Sequence, residues 1–251
     1  MSRTHAPQQH PTMAATHFSE FDVSTLKLSP PKTSKANVGC KTAYITAVGS
    51  VKIAIQTPIM TLPWDIVPKK LDDVSNVRAE LSLSFVGINE DDPENELKKF
   101  KDFLSTFDQK IKTLISETHG AMGKNSEDTR LEASFRDSIK ESATGNYPPT
   151  IQSKIWLNLK QGGSPSIVED FDMDVMVFDL EGCQIQTDQM QKGCPAAAIL
   201  EPSYVWCSAL GVGITWVAKQ VALQPKSAST FGFNLGKNVA EHEEHEEHEE
   251  S

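Results

Sequence analysis

The residue order predicts a mainly β domain, a small barrel or mixed sheet with one helical insertion, between an N-terminal arm and an acidic C-terminal tail. Three observations predict it. Short runs from residue 38 to residue 223 alternate apolar and polar side chains with the period of a half-buried strand. One stretch, Leu97 to Ile115, switches to apolar spacings of three and four. Repeated βα units, the mark of a doubly wound sheet, do not occur, and no internal repeat is visible.

The boundaries follow from composition. Residues 1–36 mix His, Pro, Ser, Thr and Gln with few aliphatics, too little apolar surface to offset ordering entropy, and read as a mobile arm. Phe18 and Phe21 are the candidates to anchor its later part. The domain proper is expected over 37–224, with the insertion at about 93–141, and a flexible tail over 225–251.

Within the domain, Ala43 to Val48 and Val51 to Thr57 flank Gly49-Ser50, a hairpin signal. Pro58, Pro63 and Pro68 then punctuate an irregular loop around Met60 and Trp64. Val77, Ala79, Leu81, Leu83 and Phe85 alternate with Arg78, Glu80, Ser82 and Ser84 as a half-buried strand. The helix of Leu97 to Ile115 carries Lys98, Lys99, Lys101, Lys110 and Lys112 between its apolar positions, a pattern that suits a solvated face better than a binding patch. A weaker helical stretch runs from about Glu127 to Glu141, and Tyr147-Pro148-Pro149 stops it. The β pattern then resumes in Ile151 to Leu159, Met173 to Phe178, Cys183 to Thr187, Ala197 to Ser208 and Gly213 to Leu223.

Composition narrows the function. No apolar run reaches the length of a membrane span, and the first thirty residues lack the apolar core of a signal peptide, so an intracellular protein is expected. Cys40, Cys183, Cys194 and Cys207 form no CxxC pair and read as reduced thiols. The net charge of −10 is unevenly placed. Glu241, Glu243, Glu244, Glu246, Glu247, Glu249 and Glu250 contribute seven negative charges to the last eleven residues, which hold no Lys or Arg, and without them the chain stands at −3. Such a nearly balanced body can gather its lysines on one face.

Catalytic signatures are missing: the sequence has no GxSxG, GxxxxGK[ST] or HExxH pattern, and no enzyme activity, metal or cofactor is expected. Glu169, Asp170, Asp172 and Asp174 form an acidic cluster that suits Mg²⁺ but reads better as a solvated strand entrance. His242, His245 and His248 repeat every third residue without a scaffold and are read as incidental.

Three ordered segments carry a resemblance. They are Ile55-Gln56-Thr57-Pro58-Ile59-Met60 leading to Pro63-Trp64, Tyr147-Pro148-Pro149-Thr150-Ile151 leading to Lys154-Ile155, and Trp206, Gly211, Gly213, Trp216 and Gln220. With the acidic C-terminus, their order resembles a family of acidic-tailed single-stranded-DNA-binding proteins of large eukaryotic DNA viruses. That family is similar to the podophage replication protein of the same function. The resemblance covers residues 38–223 and the tail, and implies an OB-like barrel that protects single-stranded DNA in viral replication, recombination or repair. It implies work at the site of viral replication, in the host nucleus or a cytoplasmic virus factory. The tail is implied to modulate DNA access and to contact a replicative polymerase or helicase, with room for a homodimer. Two departures bear on the tail's partner: its glutamates are interleaved with histidine, and it does not end on an aromatic residue.

Single-strand binding without base preference needs a shallow basic groove and aromatic faces for unpaired bases. Period-two geometry puts Lys154, Trp156 and Lys160 on one side of a strand, opposite its apolar set. Trp156 fits either a stacking platform or a second small core. Trp64, near Lys69 and Lys70, is another candidate platform. Tyr204 and Trp206 share a face of a late strand and fit a platform or a buried pair; Trp216, among Val212, Ile214 and Ala218, reads as core. Lys52 and Lys219 are candidates to line the groove from neighbouring strands. Two rival readings remain open at this level: a virion or scaffold structural protein that binds no nucleic acid, and a metal-dependent nuclease built on Glu169 to Asp174.

Overall fold

The computed structural model describes residues 15–34, 39–70, 77–164 and 167–224. The principal strands are β1 (Lys41–Thr46), β2 (Ile55–Gln56), β3 (Met60–Thr61), β4 (Val77–Ser84), β5 (Thr150–Leu159), β6 (Phe171–Asp174), β7 (Met176–Asp179), β8 (Gln184–Ile185), β9 (Pro195–Ser208) and β10 (Gly211–Leu223). Helices α1 (Glu96–Ser116) and α2 (Asp128–Ser134) lie between β4 and β5.

Five of these strands close on themselves. Thr61 of β3 pairs with Ser84 of β4, and β4 runs antiparallel to β5. Lys154 of β5 pairs with Val217 of β10 in parallel, β10 is antiparallel to β9, and β9 returns to β3 through Pro195 and Ala196. Numbered along the barrel, the order is 1-2-3-5-4-1 with the third and fifth strands parallel. This is an OB-like closed barrel with a helical insertion between its second and third strands.

The alternations read from the sequence select the inner face. Leu81 and Leu83 of β4 and Ile151 and Ile155 of β5 are buried, while Arg78, Glu80, Lys154 and Trp156 point outward. The hairpin at Gly49-Ser50 also forms, with both residues in the left-handed region (φ +82° and +60°) and Ala47 bridged to Val51. The segment expected as an irregular loop around Met60 supplies the closing strand instead. Met60 and Leu62 are fully buried, and burial of those two side chains between flanking prolines outweighs the local turn chemistry.

Three further expectations change. Phe18 and Phe21 anchor the later part of the N-terminal segment, as expected, but the body begins at residue 15 and not after residue 36: Thr16–His17 pairs in parallel with β2, Phe18 is 2% exposed, and its ring lies 5.1 Å from that of Phe100. Met173 to Phe178, expected as one strand, divides into β6 on β5 and β7 on β10. The weaker helix expected to Glu141 ends at Ser134, and Phe135–Arg136 and Ile139–Lys140 turn into short strands on β10 and β5. Free sheet edges capture a segment whose helical propensity is modest. Residues 1–14 and 225–251, including the acidic tail, lie outside the described residues.

Helix α1 closes one end of the core. Asn95 caps it, its side-chain oxygen accepting from the Lys98 N–H at 3.0 Å. Its buried stripe of Phe100, Leu104, Phe107, Ile111 and Ile115 also contains Asp108. That carboxylate accepts from the Ser138 N–H (2.7 Å) and hydroxyl (2.6 Å), and the same hydroxyl accepts from the Trp216 indole N–H (2.8 Å). Burial pushes the Asp108 carboxyl up to about 6, against the lowering pull of the two Ser138 hydrogen bonds. Asp108→Ala would strand two buried donors and should cost about 2–4 kcal/mol in urea unfolding. Because the folded-state value lies above the ordinary 3.8, the carboxyl binds its proton more readily in the folded chain. Stability should therefore rise as pH falls from about 7 to 5, by about 1 kcal/mol from this group, and Asp108→Asn should remove that increment. Equal pH dependence in the two proteins would show that Asp108 does not titrate in this range.

Candidate functional site

The outer faces of β4, β5, β9 and β10 form one furrow across the barrel. Register sets its floor: Ser82 lies opposite Gln152 and Glu80 opposite Lys154, while Tyr204 and Trp206 of β9 lie opposite Thr215 and Gly213 of β10. On the other side of β9, Tyr44 and Thr42 of β1 face Tyr204 and Trp206. Four linked depressions make up the furrow. Trp64, Lys69, Arg78 and Gln152 line the first (about 360 Å³), and Arg78, Lys154, Trp156 and Phe171 the second (about 300 Å³). Arg136, Lys140, Lys154 and Trp206 line the third (about 310 Å³), and Thr42, Lys154, Tyr204, Trp206 and Leu210 the fourth (about 530 Å³). Arg78, Gln152, Lys154 and Trp206 each belong to two or more of them, so the furrow is continuous.

Its aromatic residues are accessible. Trp64 is 49% exposed and Trp156 42%, whereas Tyr204 and Trp206 are half-buried and face outward, opposite Val205 and Cys207 in the core. The Lys154 ammonium sits 5.9 Å from the Tyr204 ring. The Arg136 guanidinium lies 5.7 Å from the Trp206 ring and donates to the Leu210 carbonyl at 2.9 Å, which fixes it over the end of the β9–β10 hairpin. Trp206 can lie flat because its neighbour is glycine: a Cβ on Gly213 would come within 2.9 Å of Cζ2 of the indole. Five basic residues line the furrow (Lys69, Arg78, Arg136, Lys140 and Lys154) against three acids (Asp65, Glu80 and Asp137). Asp137 is already opposed by Lys112 at 3.6 Å.

Six residues singled out from the sequence thus line the furrow: Trp64, Lys69, Lys154, Trp156, Tyr204 and Trp206. Three others do not. Lys160 is held by the Glu169 carbonyl (2.7 Å) and by Asp172 (3.6 Å), because the β5–β6 hairpin folds the acidic segment back onto it. Lys219 is opposed by Glu201 at 3.6 Å, and Lys52 is exposed between the Gly49 hairpin and β2. Trp216 is core, 3% exposed. Four of the five lysines of α1 are ion-paired: Lys98 with Asp102, Lys99 with Glu94, Lys101 with Glu90 and Lys112 with Glu132.

Tyr44, Arg78, Arg136, Lys140 and Gln152 also border the furrow and were not singled out as site residues. The outward phase of β4 and β5 marks Arg78 and Gln152. For Arg136 and Lys140 the helical reading of their segment concealed the signal. The acids of Glu169 to Asp174 do not converge into a ligand set. Among the described residues, the one cluster of metal-ligand type is Asp179, Glu181 and Cys183, where an Asp179 oxygen accepts from the Glu181 and Cys183 N–H groups and closes a turn. No described helix is long and apolar enough to cross a membrane.

Fold and furrow together define a barrel with a basic, aromatic outer groove. No family model and no curated protein matches the sequence. Among solved structures, the single-stranded DNA-binding protein of bacteriophage Enc34 in complex with single-stranded DNA is 12% identical. The match covers 79% of this chain and 96% of that one, at a TM-score of 0.40. The single-stranded DNA-binding protein gp2.5 of bacteriophage T7 is also 12% identical, over 70% of this chain and 87% of that one, at a TM-score of 0.44.

Gly213→Ala tests the packing of the groove floor. The added methyl must displace the Trp206 ring, at a cost of about 1–3 kcal/mol, and tryptophan fluorescence should shift with it. A variant with unchanged stability and emission would mean that the ring does not rest on Gly213.

Proposed function

We propose that the chain binds single-stranded DNA along this furrow, largely without base preference, and turns nothing over. The observation that carries the reading is the interleaving of Trp64, Trp156, Tyr204 and Trp206 with Lys69, Arg78, Arg136 and Lys154 on one continuous outer face. Exposed aromatic faces stack with any base, and the cations between them take the phosphates. A duplex offers stacked bases and a stiff backbone, and fits such a shallow surface poorly.

On this reading the protein protects single strands during viral replication, recombination or repair, inside the cell at the site of replication. The seven tail glutamates are a tethered polyanion that competes for the same cations, and DNA displaces it. The freed tail is then available to a basic surface on a replicative polymerase or helicase.

Titration of labelled oligothymidine, with and without Mg²⁺, tests the assignment. Tight, salt-sensitive binding without cleavage is expected; absence of binding would favour the structural reading, and cleavage the nuclease. Trp156→Ala should weaken binding by roughly 1–3 kcal/mol, the usual cost of a lost stacking platform. Arg78→Ala and Lys154→Ala should each lower the salt slope by about one unit or less, whereas Lys98→Ala and Lys101→Ala, on the ion-paired helix face, should leave it unchanged. Removing residues 241–251 should tighten binding, most at low salt where screening is weakest. Equal affinities with and without those residues at low salt would limit the tail to solubility or partner binding.

A further inference from the structure

A second cleft, of about 580 Å³, lies outside the furrow where β7, β8 and the end of β10 meet. Its chemistry is different. Ile185, Leu223 and Cys194 supply apolar surface, five glutamines supply amide groups, and among the described residues no Lys or Arg lines it, while Asp179 does. A polyanion is therefore a poor occupant, and this excludes the glutamate-rich end of the chain. Beside the cleft, β8 ends the sheet: it pairs with β7 on one side, and its other edge carries no strand among the described residues. An open edge next to an apolar, amide-rich cleft suits an uncharged extended peptide, which adds main-chain hydrogen bonds and inserts alternate side chains.

This chain supplies such a peptide close by. Gln224, held by its N–H to the Pro195 carbonyl at 2.9 Å, itself lines the cleft, and the chain continues from there. Beyond it the only aromatic residues are Phe231 and Phe233. With Leu235 they form an uncharged alternating run, Phe231-Gly232-Phe233-Asn234-Leu235, with the period of a strand. Residues 225–230 span at most about 20 Å, enough for a return to the cleft and too short to reach far across the barrel. We propose that residues 231–235 of the same chain dock in this cleft against β8, with Phe231 and Phe233 filling it beside Ile185 and Leu223. The docked segment roots the acidic tail near the 189–194 loop. That loop is joined to the base of the Trp64 loop through the Ile66 N–H to the Met190 carbonyl (3.2 Å) and the Lys192 N–H to Asp65 (2.8 Å).

Hydrogen exchange of the full chain, compared with Phe231→Ser/Phe233→Ser, tests the docking and does not depend on whether DNA is bound. Exchange over residues 184–191 and iodoacetamide labelling of Cys194, buried in the cleft wall, should both accelerate by about tenfold in the variant, with exposed Cys183 labelled readily in both proteins. Ile185→Asp, which alters the cleft and leaves the segment intact, should accelerate Cys194 in the same way. Sedimentation should give the same mass for wild type and variant at every concentration. Unchanged exchange and labelling would overturn the proposal. A wild-type dimer that the Phe substitutions dissociate would overturn it as well, by showing that a second copy is the occupant.

Discussion

The buried carboxylate of Asp108 holds the insertion to the barrel, and the groove depends on that attachment. Asp108 stands in the apolar stripe of α1, where an ionisable group is costly unless its oxygens are paired. Ser138 supplies both donors and passes the connection to the Trp216 indole in β10. One polar triad therefore ties the helix, the 135–140 segment and the fifth barrel strand together. The same segment carries Arg136 and Lys140 into the furrow, so two groove cations stand on either side of the serine that the buried carboxylate holds.

Around that triad the packing is aromatic. Phe100, Phe103 and Phe107 of α1 meet Phe18 and Phe21 from the N-terminal segment, Phe85 from the end of β4, and Trp216. The helix thus serves as a plug, and four of its five lysines are paired with neighbouring acids. In the furrow, Lys69, Arg78 and Lys154 form no ion pair with an acid among the described residues, as is also true of Lys52 and Lys110 outside it. The lysine-dense helix is thereby largely neutralised, and scattered residues on five different strands make the basic surface.

How much of this was legible in the sequence follows from the range of each signal. The outward direction of Lys154 and Trp156 depends only on their neighbours' polarity and the pleat of a strand, and it was readable. The α1 stripe was readable for the same reason at a period of 3.6. Lys160 and Lys219 share this local logic but fail as furrow residues, because their partners Asp172 and Glu201 come from other strands. Arg136 was hidden because helix propensity over Glu127 to Glu141 is a local property, whereas capture by the edges of β10 and β5 is not.

What the sequence by itself determined is the long alternating strands and the face each presents, one amphipathic helix, a turn at Gly49-Ser50, and a separated block of negative charge. Tertiary structure decided which faces meet. Closure of the barrel rests on Thr61 reaching Ser84 and Met60 reaching Ala196, pairings across long stretches of chain that no local pattern encodes. The furrow exists only after that closure, since its floor is built from register between strands remote in sequence. Side-chain direction is fixed within two or three residues, but convergence is a property of the closed sheet.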